Sequence, residues 1–181
     1  MSFRKEKKFS LKLSEMFLMQ KNLKKIGMKE LYPPRMINSC YFDNDNMKMF
    51  YDSEEGVLPR KKVRIRWYEK SSTFLKEIKI SSIEGRYKYS EKKLDINNKE
   101  KILKSYFIDQ VYGKITPKIV VSYQRSYFII NKLRITFDKD IHYLDIKNNF
   151  SRKIKEDECV MEIKVPIFCG DDHVKKIIPY S

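Results

Sequence analysis

Apolar and polar residues alternate one by one through several stretches of the chain, most sharply at residues 62–68, Lys-Val-Arg-Ile-Arg-Trp-Tyr. Strand side chains change face with a period of two, so a strand here puts Lys62, Arg64, Arg66 and Tyr68 on one side and Val63, Ile65 and Trp67 on the other. The same alternation predicts an opening strand over 3–11, with Arg4, Glu6 and Lys8 opposite Phe3 and Phe9. A helix follows, N-capped by Ser14, with Met16, Met19, Leu23 and Ile26 at helical spacing and a stop at Gly27. Pro33 and Pro34 predict a break, 37–43 a strand, 43–46 a turn, 47–52 one helical turn and 53–59 a loop. Strands are then predicted over 62–68, 75–80 and 86–90, the last opened by Gly85. Residues 95–110 lose strict alternation and read as a helical insertion. A hairpin covers 117–138 and turns at Asn131, so that Lys132, Arg134, Thr136 and Asp138 oppose Leu133, Ile135 and Phe137. After a polar loop over 147–158, residues 159–166 form a last strand, and Asp171 or Asp172 caps a short helix ending near Pro179.

Up to eight strands with short connections in 181 residues predict one α+β domain over 1–181 that is mainly antiparallel β, a closed or nearly closed eight-stranded sheet. What sets the pattern apart is the polar face. It carries charge at consecutive positions on most strands: Arg4, Glu6 and Lys8; Lys62, Arg64 and Arg66; Glu77 and Lys79; Arg86 and Lys88; Arg125; Lys132 and Arg134; Glu162 and Lys164. Thirty-nine Lys and Arg against 24 Asp and Glu leave a formal +15, which points to a polyanionic partner without naming it. Much of the surplus is Lys scattered among Ile and Asn. Arg is much scarcer than Lys, yet six of its occurrences fall on these strand faces. Planar guanidinium forks clamp phosphate oxygens in pairs, so this distribution favours an architecture in which charged faces gather around a polyanion and helices cover the apolar faces. The other architecture leaves the charged faces in plain solvent. Glu6, Glu77 and Glu162 share the basic faces; they either supply oxygen ligands to Mg²⁺ or Mn²⁺ or pair with neighbouring cations.

Cys40, Cys159 and Cys169 lack metal-site or disulfide-framework spacing, which fits a reducing cytoplasm. No signal peptide or membrane span is predicted, and His142 and His173 read as surface or loop residues.

The segments Arg4-Lys-Glu-Lys-Lys-Phe, Tyr41-Phe-Asp, Arg64-Ile-Arg-Trp-Tyr, Phe74-Leu-Lys-Glu-Ile-Lys, Tyr123-Gln-Arg-Ser-Tyr, Leu133-Arg-Ile-Thr-Phe-Asp and Met161-Glu-Ile-Lys resemble, in order, the catalytic domain of the vacuolar transporter chaperone (VTC) family of polyphosphate polymerases, which have a triphosphate tunnel metalloenzyme fold. The resemblance implies a closed tunnel of eight antiparallel strands with helices packed outside, and transfer of the γ-phosphoryl group of ATP to inorganic polyphosphate. It implies Arg64, Arg66, Lys79, Arg125 and Arg134 as catalytic phosphate binders. Lys8, Arg86, Lys88 and Lys164 would be further substrate-binding positions, Glu162 the metal ligand and Mn²⁺ or Mg²⁺ the cofactor. Its partners would be ATP and polyphosphate, with any membrane partner a separate chain. Arg4 stands where the wider superfamily has the first of two glutamates, which suits the VTC branch and argues against a two-metal triphosphatase. The chain ends at Pro179-Tyr180-Ser181, where the family continues into a helical segment containing Ser-Lys-Tyr.

Two other functions compete with the polymerase. One is a hydrolase of triphosphate or nucleoside triphosphate on the same fold; the other is a non-catalytic module binding polyphosphate or RNA. An RNA-binding surface needs exposed aromatics for base stacking. Tyr68, Tyr87, Tyr89, Tyr123 and Tyr127 lie on faces where packing explains them equally well, so no specific nucleic acid is expected.

Overall fold

The computed structural model describes residues 4–69, 73–91, 98–146 and 153–166. Its elements follow in the order β1 (Arg4–Lys12), α1 (Leu13–Lys25), β2 (Lys29–Asp43), α2 (Lys48–Glu54), β3 (Arg60–Tyr68), β4 (Leu75–Ser82), β5 (Gly85–Glu91), α3 (Lys99–Lys104), β6 (Phe107–Asp109), β7 (Gly113–Ile130), β8 (Leu133–Asp145), β9 (Lys153–Lys155) and β10 (Glu158–Pro166). Hydrogen bonding orders eight strands as β1-β10-β8-β7-β2-β3-β4-β5, with β6 beside β7 and β9 beside β8. The architecture is mainly antiparallel β with few helices, as the alternation predicts. Two expectations are corrected: the sheet has ten strands rather than eight, and among the described residues it is open, with β1 and β5 as its ends. The extra strands, β6 and β9, are three residues each, too short for a period of two to register. Alternation assigns faces, and it carries no information on whether the first and last strands pair.

Local signals explain the smaller departures. Pro33 and Pro34 lie inside β2, ahead of the residues 37–42 that pair with β3, so that ladder loses no N–H donor to them. The start of α1 is capped at Lys12, whose backbone N–H donates to Glu15 Oε2 at 2.7 Å, which displaces the Ser14 cap. The helical insertion contracts to the six residues of α3. Asn131 and Lys132 both adopt left-handed backbone, φ 45° and 68°, and form the tight turn between β7 and β8. Lys132 therefore belongs to the turn, and the strand face starts at Arg134. The helix expected after Asp171, with Cys169 and His173, lies outside the described residues.

The chain forms two compact units. One comprises the segments to Arg35, Tyr123–Ile141 and from Lys155 onward; the other comprises Met36–Ser122 and His142–Ile154. Each has its own core. In the first, Met16 and Leu23 of α1 pack on the apolar positions of β7, β8 and β10, including Phe128, Leu133, Ile135, Phe137, Met161 and Ile163. In the second, Met49 of α2 and Ile102 of α3 pack with Val63, Ile65 and Trp67 of β3 and with Phe42 and Ile115. Asp43 holds the start of α2: its Oδ1 and Oδ2 accept the backbone N–H groups of Met49 and Phe50 at 3.0 and 2.9 Å. The Asp of Tyr41-Phe-Asp thus shapes the fold. In both units helices cover the apolar strand faces, which leaves the charged faces on the other side. Cys40 and Cys159 are buried free thiols. Among the described residues no helix is long and apolar enough to cross a membrane.

Candidate functional site

In the second unit the charged face is assembled by register. Arg64 lies opposite Glu77 and Lys62 opposite Lys79 across β3 and β4, while Lys79 faces Lys88 and Ser81 faces Arg86 across β4 and β5. On the other flank, Tyr41 and Ser39 of β2 face Arg64 and Arg66. Glu77 is the hub. Its side chain is almost fully enclosed, the residue being 3% exposed. Arg64 donates to Oε2 from Nε at 2.7 Å, with Nη2 at 2.6 Å, and Lys88 donates to Oε1 at 2.6 Å. Arg66 Nη1 lies 3.7 Å from Oε1. Arg64 Nη1 also donates to the Tyr41 hydroxyl at 3.0 Å, and its guanidinium sits 5.7 Å from that ring's centre. Lys79 and Arg86 are exposed positions on the same face.

Burial by itself raises the Glu77 carboxyl, but Arg64, Lys88 and Arg66 outweigh it and hold the group down at about 2. A depressed carboxylate contributes stability that is complete above its unfolded value of 4.5 and is lost as pH falls through about 2. The shift is worth about 3 kcal/mol at neutral pH. Acid unfolding followed by circular dichroism is therefore expected to steepen between about pH 4.5 and 2, and to be flatter across that window in Glu77→Gln. Equal slopes in the two proteins would contradict the assignment.

In the first unit the face is built on β1, β10, β8 and β7. Lys8 faces Glu162 and Glu6 faces Lys164 across β1 and β10; Glu162 faces Thr136 and Lys164 faces Arg134 across β10 and β8. Arg125 of β7 forks onto Asp138 of β8, with Nε to Oδ1 and Nη2 to Oδ2 both at 2.6 Å. Its guanidinium lies 5.2 Å from the centre of the Tyr123 ring. Arg125 Nη2 is 3.8 Å from Glu162 Oε2, while Lys164 Nζ is 3.2 Å from Glu162 Oε1 and 3.6 Å from Glu6 Oε1. Glu162 is 6% and Asp138 7% exposed. Burial raises the Glu162 carboxyl, but Lys164, Arg125 and Lys8 more than offset it and keep the group ionised. Asp138 goes the other way. Its burial, reinforced by the nearby Glu162, raises it despite the Arg125 fork. Burial depresses the Arg125 guanidinium, but Asp138 overrides it and holds Arg125 above its ordinary value.

The structure thus joins Arg64, Arg66 and Lys88 in one cluster, and Arg125, Glu162 and Lys164 in another. It places Lys79 and Arg86 beside the first by register, and Lys8 and Arg134 beside the second. Lys8 and Arg134 are exposed. For Glu77 and Glu6, pairing with neighbouring cations is what the geometry displays. Tyr41, Tyr123 and Asp138 were visible in the sequence without a role in the site. A usable signal was present: Glu77 and Asp138 each lie 13 residues beyond the arginine they hold, on the next strand and the same face.

A divalent ion can be tested against this donor set. Among the described residues no three or more His, Cys, Asp or Glu side chains gather into a metal cage. Mg²⁺ and Mn²⁺ bound to nucleotides rely on one or two carboxylates, with substrate phosphates and water completing the shell. Glu162, an ionised carboxylate among phosphate-type cations, fits that role. Asp138 has both oxygens committed to Arg125, and Glu77 has both committed to Arg64 and Lys88.

The VTC domain model matches residues 3–178. No curated protein matches the chain. Among solved structures, a conserved hypothetical protein from Pyrococcus furiosus aligns with TM-score 0.57 at 14% identity, covering 98% of this chain and 87% of that one. HpAC1 from Hippeastrum, a candidate adenylyl cyclase with a dominant triphosphatase activity, aligns with TM-score 0.56 at 11% identity, covering 98% and 85%. The PH1012 protein from Pyrococcus horikoshii OT3 aligns with TM-score 0.55 at 11% identity, covering 97% and 87%. At such identities the likeness is one of fold alone.

Proposed function

Because the chain belongs to the VTC domain family, we propose that it is a metal-dependent polyphosphate polymerase that moves the γ-phosphoryl group of ATP onto inorganic polyphosphate. Family and fold together support an enzyme acting on triphosphates; the polymerase assignment is the finer step. The observation that carries it is Glu162, a buried carboxylate kept ionised by Arg125, Lys164 and Lys8 on a face otherwise built from phosphate-type cations.

Phosphoryl transfer needs little covalent help, so positioned charge around the phosphates supplies most of the catalysis. Arg64 and Arg66 bind phosphate oxygens in the orientation that Glu77 gives them, and Lys79, Lys88 and Arg86 add charge along the same face. In the other unit Arg125, fixed by the Asp138 fork, offers Nη1 to a phosphate oxygen, and Lys8, Arg134 and Lys164 add charge beside it on that unit's own face. Glu162 would hold the Mn²⁺ or Mg²⁺, which when bound neutralises charge on the phosphates. No side-chain nucleophile is required, since the acceptor is itself a phosphate. The buried thiol of Cys40, pushed up to about 12 by burial, is inert and fits a cytoplasmic protein.

Incubation with ATP, Mn²⁺ and short polyphosphate, followed by a gel that resolves chain length, is expected to give a ladder. Orthophosphate without a ladder would replace the polymerase with a triphosphatase. Unchanged ATP would leave a binding module.

A further inference from the structure

Glu77 stands where a phosphate site would be expected to have no acid. On the faces of β3, β4 and β5 it is the one carboxylate among Lys62, Arg64, Arg66, Lys79, Arg86 and Lys88 in the described residues. By charge alone it opposes any anion that these cations attract. Yet it is enclosed and contacts three of them, with two oxygens taken up by Arg64 Nε and Nη2, Lys88 Nζ and Arg66 Nη1. We propose that Glu77 is a positioning residue that locks Arg64, Arg66 and Lys88 into one orientation for a phosphate group, so that removing its negative charge weakens phosphate binding.

Arg and Lys side chains are long and rotamer-rich, and three like charges on neighbouring strands separate into solvent unless something holds them. Gathering them around a phosphate then has to be done at the moment of binding, at a cost in ordering. A central carboxylate does that work during folding. It grips Arg64 along the Nε edge, while the Tyr41 hydroxyl accepts from Nη1, so the guanidinium plane is fixed on two sides. The arrangement recurs in the other unit, where Asp138 grips Arg125 along the same Nε edge and Tyr123 lies beside the guanidinium. Two independent clusters with the same acid, arginine and tyrosine parts indicate a device for presenting a guanidinium.

This inference rests on the triphosphate reading above, and its test separates the two. Titration calorimetry with inorganic tripolyphosphate, without metal, reads binding apart from turnover. Glu77→Gln, which changes charge with little change of shape, is expected to raise the tripolyphosphate Kd by roughly tenfold despite the added positive charge. In an Arg64→Ala background the same substitution is expected to raise Kd by clearly less than tenfold, because one of the three cations through which Glu77 acts is already gone; an undiminished effect there would count against the role. Glu77→Asp keeps the buried charge and serves if the Gln variant does not fold; its shorter reach is expected to weaken binding severalfold. Tighter or equal binding in Glu77→Gln, or unchanged binding in Glu77→Asp, would overturn the positioning role and leave the triphosphate reading standing. If the unaltered protein does not bind tripolyphosphate, both fall.

Discussion

Glu162→Gln is expected to lose ATP turnover by roughly 10²–10³-fold while remaining folded. The residue is enclosed, 6% exposed, and its carboxylate is held ionised by Lys164, Arg125 and Lys8. Glutamine fills the same volume but cannot offer an anionic oxygen to a divalent ion, and it leaves those cations with one fewer countercharge. The two effects are separable. Tripolyphosphate binding in chelator is expected to hold steady or strengthen, since the face becomes more positive, whereas stimulation by Mn²⁺ disappears. A variant that keeps its Mn²⁺-dependent turnover would remove Glu162 from the metal role.

The second large effect is expected from Arg125→Ala, and it is first an effect on stability. Asp138 gives both carboxylate oxygens to Arg125 and has Glu162 nearby, so deleting the guanidinium leaves an enclosed carboxylate without the cation that holds it. Breaking a buried pair in this way costs about 3–5 kcal/mol. Burial and Glu162 already raise Asp138, and loss of Arg125 raises it further. A group whose folded value is raised is most stabilising when protonated, so the defect is greatest near neutral pH and shrinks as pH falls. Denaturant unfolding at about pH 7 and about pH 5 reads that sign directly. Replacing both partners with apolar residues, Arg125→Met with Asp138→Leu, is expected to recover stability without recovering turnover. An Arg125→Ala protein as stable as the original would mean that the fork carries no weight in the fold.

Much of this site was legible because strand periodicity is rigid. Once Val63, Ile65 and Trp67 are buried, Lys62, Arg64 and Arg66 have nowhere to go but the opposite face, and the same logic places Arg134 opposite Leu133 and Ile135. Periodicity sorts residues by face, but it does not choose partners across strands. That choice is set by register, and register makes Glu77 the counter-ion of Arg64 and gives Asp138 to Arg125. Elements too short to complete a period, β6 and β9, left no trace in the pattern. The Pro33-Pro34 pair looked like a break because a proline removes a donor, which matters only where a neighbouring strand would use it. Closure of the sheet depends on the pairing of its end strands, a non-local property, and there the expectation drawn from strand count and from resemblance alike exceeded what the described residues form.

The central claim is that these sheet faces exist to hold phosphates, with Glu162 beside a divalent ion. A crystal structure with tripolyphosphate and Mn²⁺ tests it most directly, because Mn²⁺ can be located by its anomalous scattering. The expected result is Mn²⁺ ligated by the Glu162 carboxylate at about 2.0–2.3 Å and by phosphate oxygens, with a phosphate in hydrogen-bond contact with Arg125. Tripolyphosphate bound only at exposed lysines such as Lys21, Lys24 and Lys25 of α1, with no Mn²⁺ at Glu162, would contradict the account.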